Sequence, residues 1–423
     1  MTIEKLYEIY LRHPSIQTDT RLLRPGDLFF ALKGPNFNGN QFAAKALELG
    51  AAYVIIDEGE DSAQLIKVPD VLKALQDLAL HHRRQFNIPF IAITGSNGKT
   101  TTKELIHAVL SSTYTTYTTK GNLNNHIGIP LTILSVRTDA QLAVIEMGAN
   151  HQKEIEGYCR YALPTHGIIT NIGKAHLEGF GGPEGVKKGK GELYDFLRSH
   201  NGTAFVLTDS PDLTEMSTGI PYVVTYGTHD AGIIGTTVPT ADSFLHVGIT
   251  HGATTGPIHT QLVGNYNLPN ILAAVAVGKY FRVTDDRIRQ SIEAYTPSNS
   301  RSQLIEKDGL HIILDAYNAN PSSMRAAIEN FAHFQGPRVL ILGAMAELGP
   351  ESLHEHQGIV DLIAKYPWQQ VVLVGGDFQK LGHPYIGFDN SKQAAEWLRN
   401  AQLKDSYVLI KGSRSTKMED VLT

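Results

Sequence analysis

The sequence predicts an α/β protein of three domains, and three observations lead to this prediction. A chain of 423 residues is longer than one ordinary domain and suits about two to four. Short apolar strands followed by helical patterns recur about every 30 residues in the last third of the chain, which is typical of βαβ units. A Gly-rich turn joins a strand to a helix near residue 95. We therefore expect domains at residues 1–84, 85–300 and 301–423.

The first domain is predicted to be a small α/β unit. Residues 42–58 have the pattern of a helix ending near Gly50, followed by a buried strand from Ala52 to Ile56. Apolar side chains recur at helical spacing over residues 70–84, which predicts an amphipathic helix leading into the next domain. His81 and His82 lie on that helix, and we expect them to face solvent.

The central domain is predicted to hold a P-loop-type, mostly parallel sheet with added β-strands. Phe90 to Thr94 is a short apolar strand, and a Gly-rich turn and an apolar-striped helix follow it. The segments LAVIEMG and THGIITNIG repeat the pattern of a strand that ends at small or polar residues, with helical patterns nearby. Between about residues 203 and 263 the chain carries short strands with few helices, and the helix NLPNILAAVAVGKYF follows.

The last domain is predicted to be a Rossmann-like βαβ unit with right-handed crossovers. Its strands are expected in HIILDAY, RVLILGAM, QVVLVGG and YVLIKGS. Helical patterns such as SSMRAAIENFAHF and SKQAAEWLRNA lie between them. The carboxyl ends of such strands face the ligand crevice in open α/β sheets, so polar residues leaving these ends are candidates for function.

Composition and charge argue against several classes of protein. The formal net charge is −5, without the basic excess of chains that bind nucleic acid. No apolar run approaches the roughly 18 residues of a membrane-spanning helix, and residues 1–13 lack a signal-peptide pattern. The single cysteine, Cys159, cannot form an intrachain disulfide. We expect a cytoplasmic monomer that neither binds nucleic acid nor inserts into a membrane.

The turn after the first central strand predicts ATP binding. Glycines there let backbone N–H groups surround phosphate oxygens, and the following helix N-terminus adds positive potential. Lys99 would reach the β- and γ-phosphates, and the Thr100 hydroxyl would ligate Mg²⁺. The loop is a shortened version, because Ile93 stands where the usual P-loop has another glycine. The residues predicted to bind ATP here are Gly95, Ser96, Asn97, Gly98, Lys99, Thr100 and Thr101.

Polar residues near other strand ends leave two interpretations open. Glu146 could be a satisfied structural carboxylate or a metal ligand beside the loop. His176 could be an ordinary loop residue, and Lys190 lies in a basic run that usually marks a solvated helix start. Clustered asparagines either form turns or bind a polar ligand; here they are Asn122, Asn124 and Asn125. The segment DAYNANP, residues 315–321, is either a turn before a helix or part of a site.

Taken together, these motifs resemble the Mur ligase family, which builds the cytoplasmic peptidoglycan precursor. The resemblance covers nearly the whole chain. Asn38-Gly39-Asn40 departs from it, since the family commonly has Asp-Gly-His there. The matching strings are DTRLLRPGDLFFALKG, TGSNGKTT, GNLNNHIGIPLTIL, VIEMGANHQKEI, NIGKAHLEGFG, KGKGEL, GNYNLPNILAA, DAYNANPSSM, LGAMAELG and KGSRSTKMEDV.

The resemblance implies roles for individual residues. Lys99 and Thr100 would hold ATP and a first Mg²⁺, with Glu146 as a further ligand. His176 would lie near a second Mg²⁺, and Lys190 would be the lysine that the family carbamylates to make a metal-ligating carboxylate. The implied nucleotide contacts are Asn267, Asn270, Arg301 and Asp315. The segment implied to receive the UDP moiety contains Thr20, Arg21, Lys33 and Gly34, and the other implied substrate-binding residues are Asn122, Asn124, Asn125, Tyr317 and Asn318.

The implied reaction is amide-bond formation driven by ATP. DAYNANP and KGSRSTKME resemble the member that adds D-alanyl-D-alanine to UDP-N-acetylmuramoyl-tripeptide through an acyl phosphate. A sister Mur ligase or a folylpolyglutamate synthase would use the same chemistry on another amine. A P-loop binding module without ligase activity is a third alternative, but it would need neither Glu146, His176 and Lys190 together nor two further domains.

Overall fold

The computed structural model describes residues 1–240, 243–298 and 300–423, and its N-terminal part is built on a short parallel sheet in the order β1-β2-β5-β6. The predicted helix before Gly50 and the strand ending at Ile56 are confirmed. In chain order the elements are α1 (Ile3–Arg12), β1 (Ile16–Gln17), β2 (Leu28–Phe30), β3 (Lys33–Gly34), β4 (Phe37–Asn38), α2 (Ala43–Glu48), β5 (Tyr53–Ile56), β6 (Leu65–Lys67) and α3 (Val71–Arg83).

Helix α3 connects the N-terminal and central parts, and here one prediction is wrong. His82 is buried instead of facing solvent, because α3 packs between α1 and α5 (Gly128–Ser135). Its Nε2 lies 2.8 Å from the Val136 carbonyl oxygen, and its Nδ1 lies 3.0 Å from the Tyr7 hydroxyl. The spacing of apolar residues predicted the helix. It could not predict that α5 covers His82, because this contact joins segments far apart in the sequence.

The central part contains a sheet in the order β15-β14-β13-β12-β11-β10-β7-β9-β8. Pairing is parallel from β8 to β13 and antiparallel from β13 to β15. The strands predicted after residue 203 are present, but the first of them continue the parallel pairing, which changes only after β13. The elements besides α5 are β7 (Phe90–Thr94), α4 (Lys99–Ser111), β8 (Thr116–Thr118), β9 (Leu142–Glu146), α6 (Glu154–Ala162), β10 (His166–Ile169), α7 (Leu177–Phe180), α8 (Pro183–Ser199), β11 (Thr203–Leu207), α9 (Pro211–Met216), β12 (Tyr222–Gly227), β13 (Ile233–Val238), β14 (His246–His251), β15 (Pro257–His259), α10 (Leu268–Tyr280) and α11 (Asp285–Ala294).

The C-terminal part is a second sheet, in the order β16-β17-β21-β18-β19-β20. Only the pairing of β16 with β17 is antiparallel among its described strands, so the βαβ prediction is confirmed. The elements are β16 (Gln303–Lys307), β17 (Leu310–Asp315), α12 (Pro321–Phe331), β18 (Arg338–Gly343), α13 (Ser352–Ile363), β19 (Gln370–Val374), β20 (Ile386–Phe388), α14 (Ser391–Asn400) and β21 (Tyr407–Lys411).

The two larger sheets place the ends of several parallel strands around one space. Strands β7, β9 and β10 are adjacent in the central sheet, and β17 and β21 are adjacent in the C-terminal sheet. Carboxyl ends of adjacent parallel strands lie at one edge, where open α/β sheets bind ligands. Among the described residues, no helix combines the length and apolar character needed to cross a membrane. The domain boundaries at 84/85 and 300/301 stay predictions.

Candidate active site

A cavity of about 690 Å³ lies between the central and C-terminal parts of the chain. Polar residues from both parts line it, so the structure brings most of the predicted site together. Gly95 and Lys190 do not line it, nor do the predicted substrate residues of the N-terminal part. The predicted residues in its wall are Ser96, Asn97, Gly98, Lys99, Thr100, Thr101, Asn122, Asn124, Asn125, Glu146, His176, Asn267, Asn270, Arg301, Asp315, Tyr317 and Asn318.

The Gly-rich loop leaves β7 and turns directly into α4. Gly95 and Gly98 have φ angles of 137° and 77°, a region that side chains disfavour. A Cβ atom on Gly95 would overlap the Thr170 hydroxyl, and one on Gly98 would lie 2.7 Å from Asn270 Oδ1. Both glycines are therefore required by conformation and by close packing, and the loop keeps its backbone N–H groups at the start of α4.

Lys99 is the first residue of α4 and folds back over this loop. Its Nζ donates to the carbonyl oxygens of Gly95 at 2.7 Å and Ser96 at 3.1 Å. Burial lowers the pKa of Lys99 to about 8, although the nearby Glu146 carboxylate acts in the opposite direction. The ammonium thus lies against the loop that would hold phosphate. A bound anion there would raise the pKa of Lys99 again and favour its charged form.

Glu146, at the end of β9, is a buried carboxylate that protein groups satisfy only in part. Its Oε1 accepts from the Thr100 hydroxyl at 3.1 Å and from Asn124 Nδ2 at 2.7 Å. The residue is 1% exposed, and Oε2 has no hydrogen-bond partner within the described residues. Leaving such an oxygen unpaired is costly. A hydroxyl beside a free carboxylate oxygen suits a hard cation such as Mg²⁺, so the residues present fit that ion.

Lys190, on α8, is buried and not solvated as its basic run suggests. It is 1% exposed, and its Nζ donates to the Ala149 carbonyl oxygen at 3.0 Å and lies 4.8 Å from the Phe180 ring centroid. Burial, assisted by the charge of Lys99, lowers the pKa of Lys190 well below its ordinary value. Ala149 lines the cavity, so Lys190 lies directly behind the cavity wall as a poorly solvated amine.

His176 precedes the short helix α7 and meets a residue of the C-terminal part that the sequence analysis did not identify. Its Nδ1 lies against a carboxylate oxygen of Glu347. Both residues have positive φ angles, 53° and 61°, which are uncommon for side-chain-bearing residues. The contact holds the pKa of Glu347 below its ordinary value. The motif LGAMAELG contains Glu347, but only the docking of the two parts brings it to His176.

Several predicted asparagine ligands are occupied by protein partners. Asn270 Nδ2 donates to Asn267 Oδ1 at 2.9 Å, and Asn270 Oδ1 accepts from the Thr102 hydroxyl at 3.0 Å. Asn125 Oδ1 accepts from the backbone N–H of Ile127 and Gly128 at the start of α5, so it forms a turn. The bond between Thr102 and Asn270 connects α4 to α10, whereas the bonds of Asn125 stay within the segment that leads into α5.

The C-terminal part contributes a cationic and aromatic wall. The Arg301 guanidinium lies 3.5 Å from the Tyr317 ring centroid. Asp315 Oδ2 accepts from Lys411 Nζ at 2.5 Å, and its Oδ1 accepts from the Ser302 backbone N–H at 3.1 Å. Lys411 is almost fully buried and lines the cavity. Lys411 is the last residue of β21 and the first of the string KGSRS, and it was not among the residues predicted for the site.

The N-terminal residues predicted to bind the UDP moiety lie on an exposed surface away from this wall. Arg21 pairs with Asp19 at 2.6 Å, and Lys33 pairs with Asp57 at 3.1 Å and Glu58 at 3.2 Å. Thr20 lies beside Arg21, and Gly34 follows Lys33 in β3.

The segment Asn38-Gly39-Asn40, which differs from the common family pattern, lies in the same region of the surface. Asn38 Nδ2 donates to Glu58 at 2.8 Å, and Asn40 Nδ2 donates to Asp57 at 2.7 Å. Gly39 has no room for a side chain, because a Cβ atom there would overlap the Leu32 carbonyl oxygen. The two asparagines therefore help to hold the carboxylates that pair with Lys33.

Comparison with known proteins finds likeness along most of the chain. The model of the Mur ligase family, catalytic domain, matches residues 14–83. The Mur ligase middle domain matches residues 93–278, and the Mur ligase, glutamate ligase domain matches residues 300–414. The UDP-N-acetylmuramoyl-tripeptide–D-alanyl-D-alanine ligase of Bacillus subtilis is 33% identical, over 98% of this chain and 93% of the relative.

Solved structures have the same overall fold. A crystal structure of MurF from Acinetobacter baumannii is 30% identical with a TM-score of 0.90, and covers 100% of this chain and 97% of that chain. MurF ligase from Thermotoga maritima in complex with ADP is 27% identical with a TM-score of 0.87, and covers 97% of each chain. The predicted three-domain α/β architecture is therefore confirmed.

Proposed function

The chain belongs to the Mur ligase family, and from this premise we propose that it joins D-alanyl-D-alanine to UDP-N-acetylmuramoyl-tripeptide at the expense of ATP. The product is the pentapeptide precursor of peptidoglycan, so the activity serves the cell wall, and through it cell shape and division. The observation that carries the proposal is one cavity wall that combines a phosphate loop with a buried carboxylate, one oxygen of which has no partner among the described residues, and that has the buried amine of Lys190 directly behind it.

The reaction needs an activated acyl group, because a carboxylate is a poor acyl donor. An oxygen of the tripeptide's terminal carboxylate attacks the γ-phosphorus of ATP, the bond to the bridging oxygen breaks, and ADP leaves. The amine of D-alanyl-D-alanine then attacks the acyl carbon and loses a proton, and phosphate leaves as the amide forms. Lys99 would stabilise the charge that moves through the phosphoryl transfer.

The proposed metal ligands follow from the same contacts. Thr100 and Glu146 would hold a first Mg²⁺, and His176 with carbamylated Lys190 would hold a second. When bound, the two ions supply charge neutralisation and orient the phosphate oxygens. The first site is supported by Glu146 Oε2, which accepts no hydrogen bond from any residue that the structure describes.

Carbamylation of Lys190 is supported by its burial. Only a neutral amine attacks carbon dioxide, forming a C–N bond and releasing one proton. Burial favours the neutral amine of Lys190, and the modified side chain would be an anion against the cavity wall. Its counter-charges would be the bound cation and Lys99.

The two domains that flank the central one would supply the substrates' other contacts. Arg301, Asp315, Tyr317 and Asn318 reach the cavity from the C-terminal part, and we propose that they contact nucleotide and substrate when that domain closes on ATP. Closure would keep water from the acyl phosphate. Thr20, Arg21, Lys33 and Gly34 would receive the UDP moiety. Because these substrates are made and used inside the cell, we propose a cytoplasmic location.

The test is phosphate release from ATP with UDP-N-acetylmuramoyl-tripeptide, measured with and without D-alanyl-D-alanine. We expect release only when both substrates are present, together with a product of pentapeptide mass. L-Alanyl-L-alanine is the matched control and should not support release. Release that responds instead to a single amino acid would retain the ligase chemistry and assign the chain to a sister activity. Release without any amine would contradict the ligase proposal.

A further inference from the structure

A single side chain of the C-terminal part, Asn320, holds both a helix start and the phosphate loop. Its Oδ1 accepts from the Ser323 backbone N–H at 2.9 Å, which caps α12. Its Nδ2 donates to Asn97 Oδ1 at 2.7 Å. Asn320 is 9% exposed, so the amide-to-amide bond is largely shielded from water. The cap alone needs only the oxygen of Asn320; the nitrogen serves the contact with the other domain.

Asn97 is held on its other sides by the central domain. Its backbone N–H donates to Asn171 Oδ1 at 3.0 Å, and its carbonyl oxygen accepts from the Thr170 hydroxyl at 2.6 Å and from Asn171 Nδ2 at 3.1 Å. The peptide of Asn97 is therefore fixed against the end of β10. Its side chain bonds to Asn320 of the C-terminal domain, so this bond connects that domain to the phosphate loop itself.

A second contact lies beside the first and joins both α12 and α13 to Lys174 of the central domain. The backbone N–H of Lys174 donates to Ser322 Oγ at 3.0 Å, and Lys174 Nζ pairs with Glu355 at 2.5 Å. Glu355 is largely buried, so this pair is partly shielded from solvent. The start of α12 thus rests on the loop after β10 and on the phosphate loop at once.

We propose that Asn320 is a positioning residue, which couples the seating of the C-terminal domain to the shape of the phosphate loop. The same domain presents Arg301 and Asp315 to the cavity. A bond between its α12 and Asn97 keeps these groups at a fixed offset from the loop that holds the phosphates. Reaction rates are sensitive to such offsets, because displacements near 1 Å can cost about 100-fold. The activity readouts below rest on the proposed function.

The experiment compares two asparagine helix caps, of which only Asn320 also bonds to the phosphate loop. Asn390 caps α14 with nearly the same backbone angles, φ −152° against −139°, and its side chain accepts from Gln393 within its own helix. Serine keeps an N-cap oxygen but is too short to reach Asn97. We expect Asn320→Ser to lower kcat about tenfold, the effect of losing one bond of about 1.4 kcal/mol. Asn390→Ser should leave kcat unchanged, with an equally small change in Tm.

A double-mutant cycle separates coupling from general damage. Asn97→Ala removes the same bond from its other end and leaves the α12 cap intact, so it also serves if Asn320→Ser folds poorly. We expect Asn97→Ala combined with Asn320→Ser to be no slower than the slower single variant, because both remove one interaction. Asn97→Ala combined with Asn390→Ser should be additive. A kcat for Asn320→Ser within twofold of that for Asn390→Ser would overturn the proposal.

Nucleotide binding gives a readout that does not need the proposed acyl substrate. We expect the Kd for ADP, measured by titration calorimetry, to rise roughly threefold in Asn320→Ser and to stay unchanged in Asn390→Ser. If the wild-type protein lacked activity that depends on D-alanyl-D-alanine, the proposed function would fail while this binding difference persisted. Equal ADP affinity in both variants would reject the coupling itself.

Discussion

The cavity between the central and C-terminal domains differs from the N-terminal surface in how its charged groups are satisfied. In the cavity wall and behind it, Glu146 and Lys190 are each 1% exposed, and no group in the described part of the chain bonds to Glu146 Oε2. On the N-terminal surface, the Arg21 side chain is 86% exposed and paired with Asp19. Buried groups without partners depend on a ligand, whereas exposed pairs exchange partners at little cost. Substitutions should therefore affect turnover in the first region and affinity in the second.

The largest effect should come from Lys99→Ala, which removes the cation from the phosphate loop. We expect kcat to fall roughly 10³-fold, because one preorganised charge at the transferring group contributes about that much. Steady-state phosphate release measures it. Loss of activity with a normal Tm would support a role in the chemistry. A variant that keeps a tenth or more of wild-type turnover would remove Lys99 from the mechanism and weaken the contrast between the two regions.

Lys190→Ala should be nearly as harmful, because it removes the buried amine that we propose to be carbamylated. We expect about a 100-fold loss of kcat, partly restored by added formate or acetate, whose carboxylate can occupy the vacated space. Lys188→Ala is the matched control, since Lys188 lies on the same helix but is exposed. Undiminished activity of Lys190→Ala without any additive would contradict the carbamylation proposal.

The pH dependence of nucleotide binding should be intermediate in size. Lys99 has a pKa of about 8 in the free protein, so its ammonium is charged below that pH and increasingly neutral above it. Bound phosphate favours the charged form, and ATP affinity should fall about tenfold from pH 7 to pH 9. Binding near pH 9 should therefore take up a proton, which calorimetry in buffers of different ionisation enthalpy detects. Lys99→Arg is the control, since it stays charged. Equal affinities at pH 7 and pH 9 would argue against a depressed pKa at Lys99.

The smallest effect is expected at the N-terminal surface. Arg21→Ala should raise the KM for the UDP substrate about threefold to tenfold and leave kcat within twofold, because the side chain is exposed and would contact only the UDP end. Lys45→Ala is a suitable control, as Lys45 forms another exposed pair, with Glu48, outside the predicted segment. A large loss of kcat in Arg21→Ala would erase the distinction between the two regions.

Local patterns were sufficient for the elements that carry the site. The strand Phe90–Thr94, the Gly-rich loop and the helix beginning at Lys99 follow from apolar spacing and turn residues. The strands ending at Glu146 and Asp315 are identified in the same way. Strand β13 has a weaker pattern, because apolar Ile233 and Ile234 give way to Gly-Thr-Thr along it.

Contacts between distant elements were beyond such patterns. Lys190 has the sequence context of a solvated helix start, and its burial follows from the packing of α8 against α6 and β10. Glu347 and Asn320 reach His176 and Asn97 only because the C-terminal domain docks on the central one. Residue type and spacing carry no information on that docking. The resemblance to the family supplied Arg301 and Asp315 of the cavity wall, but the contacts of Glu347 and Asn320 are known only from the structure.

The most direct test of the account follows oxygen atoms from the tripeptide. If the reaction passes through an acyl phosphate, a substrate labelled with ¹⁸O in both oxygens of its terminal carboxylate must pass one of them to phosphate. Mass spectrometry of the phosphate released with D-alanyl-D-alanine should then find one ¹⁸O in each molecule. Unlabelled phosphate would show that no acyl phosphate forms and would contradict the central claim about this site.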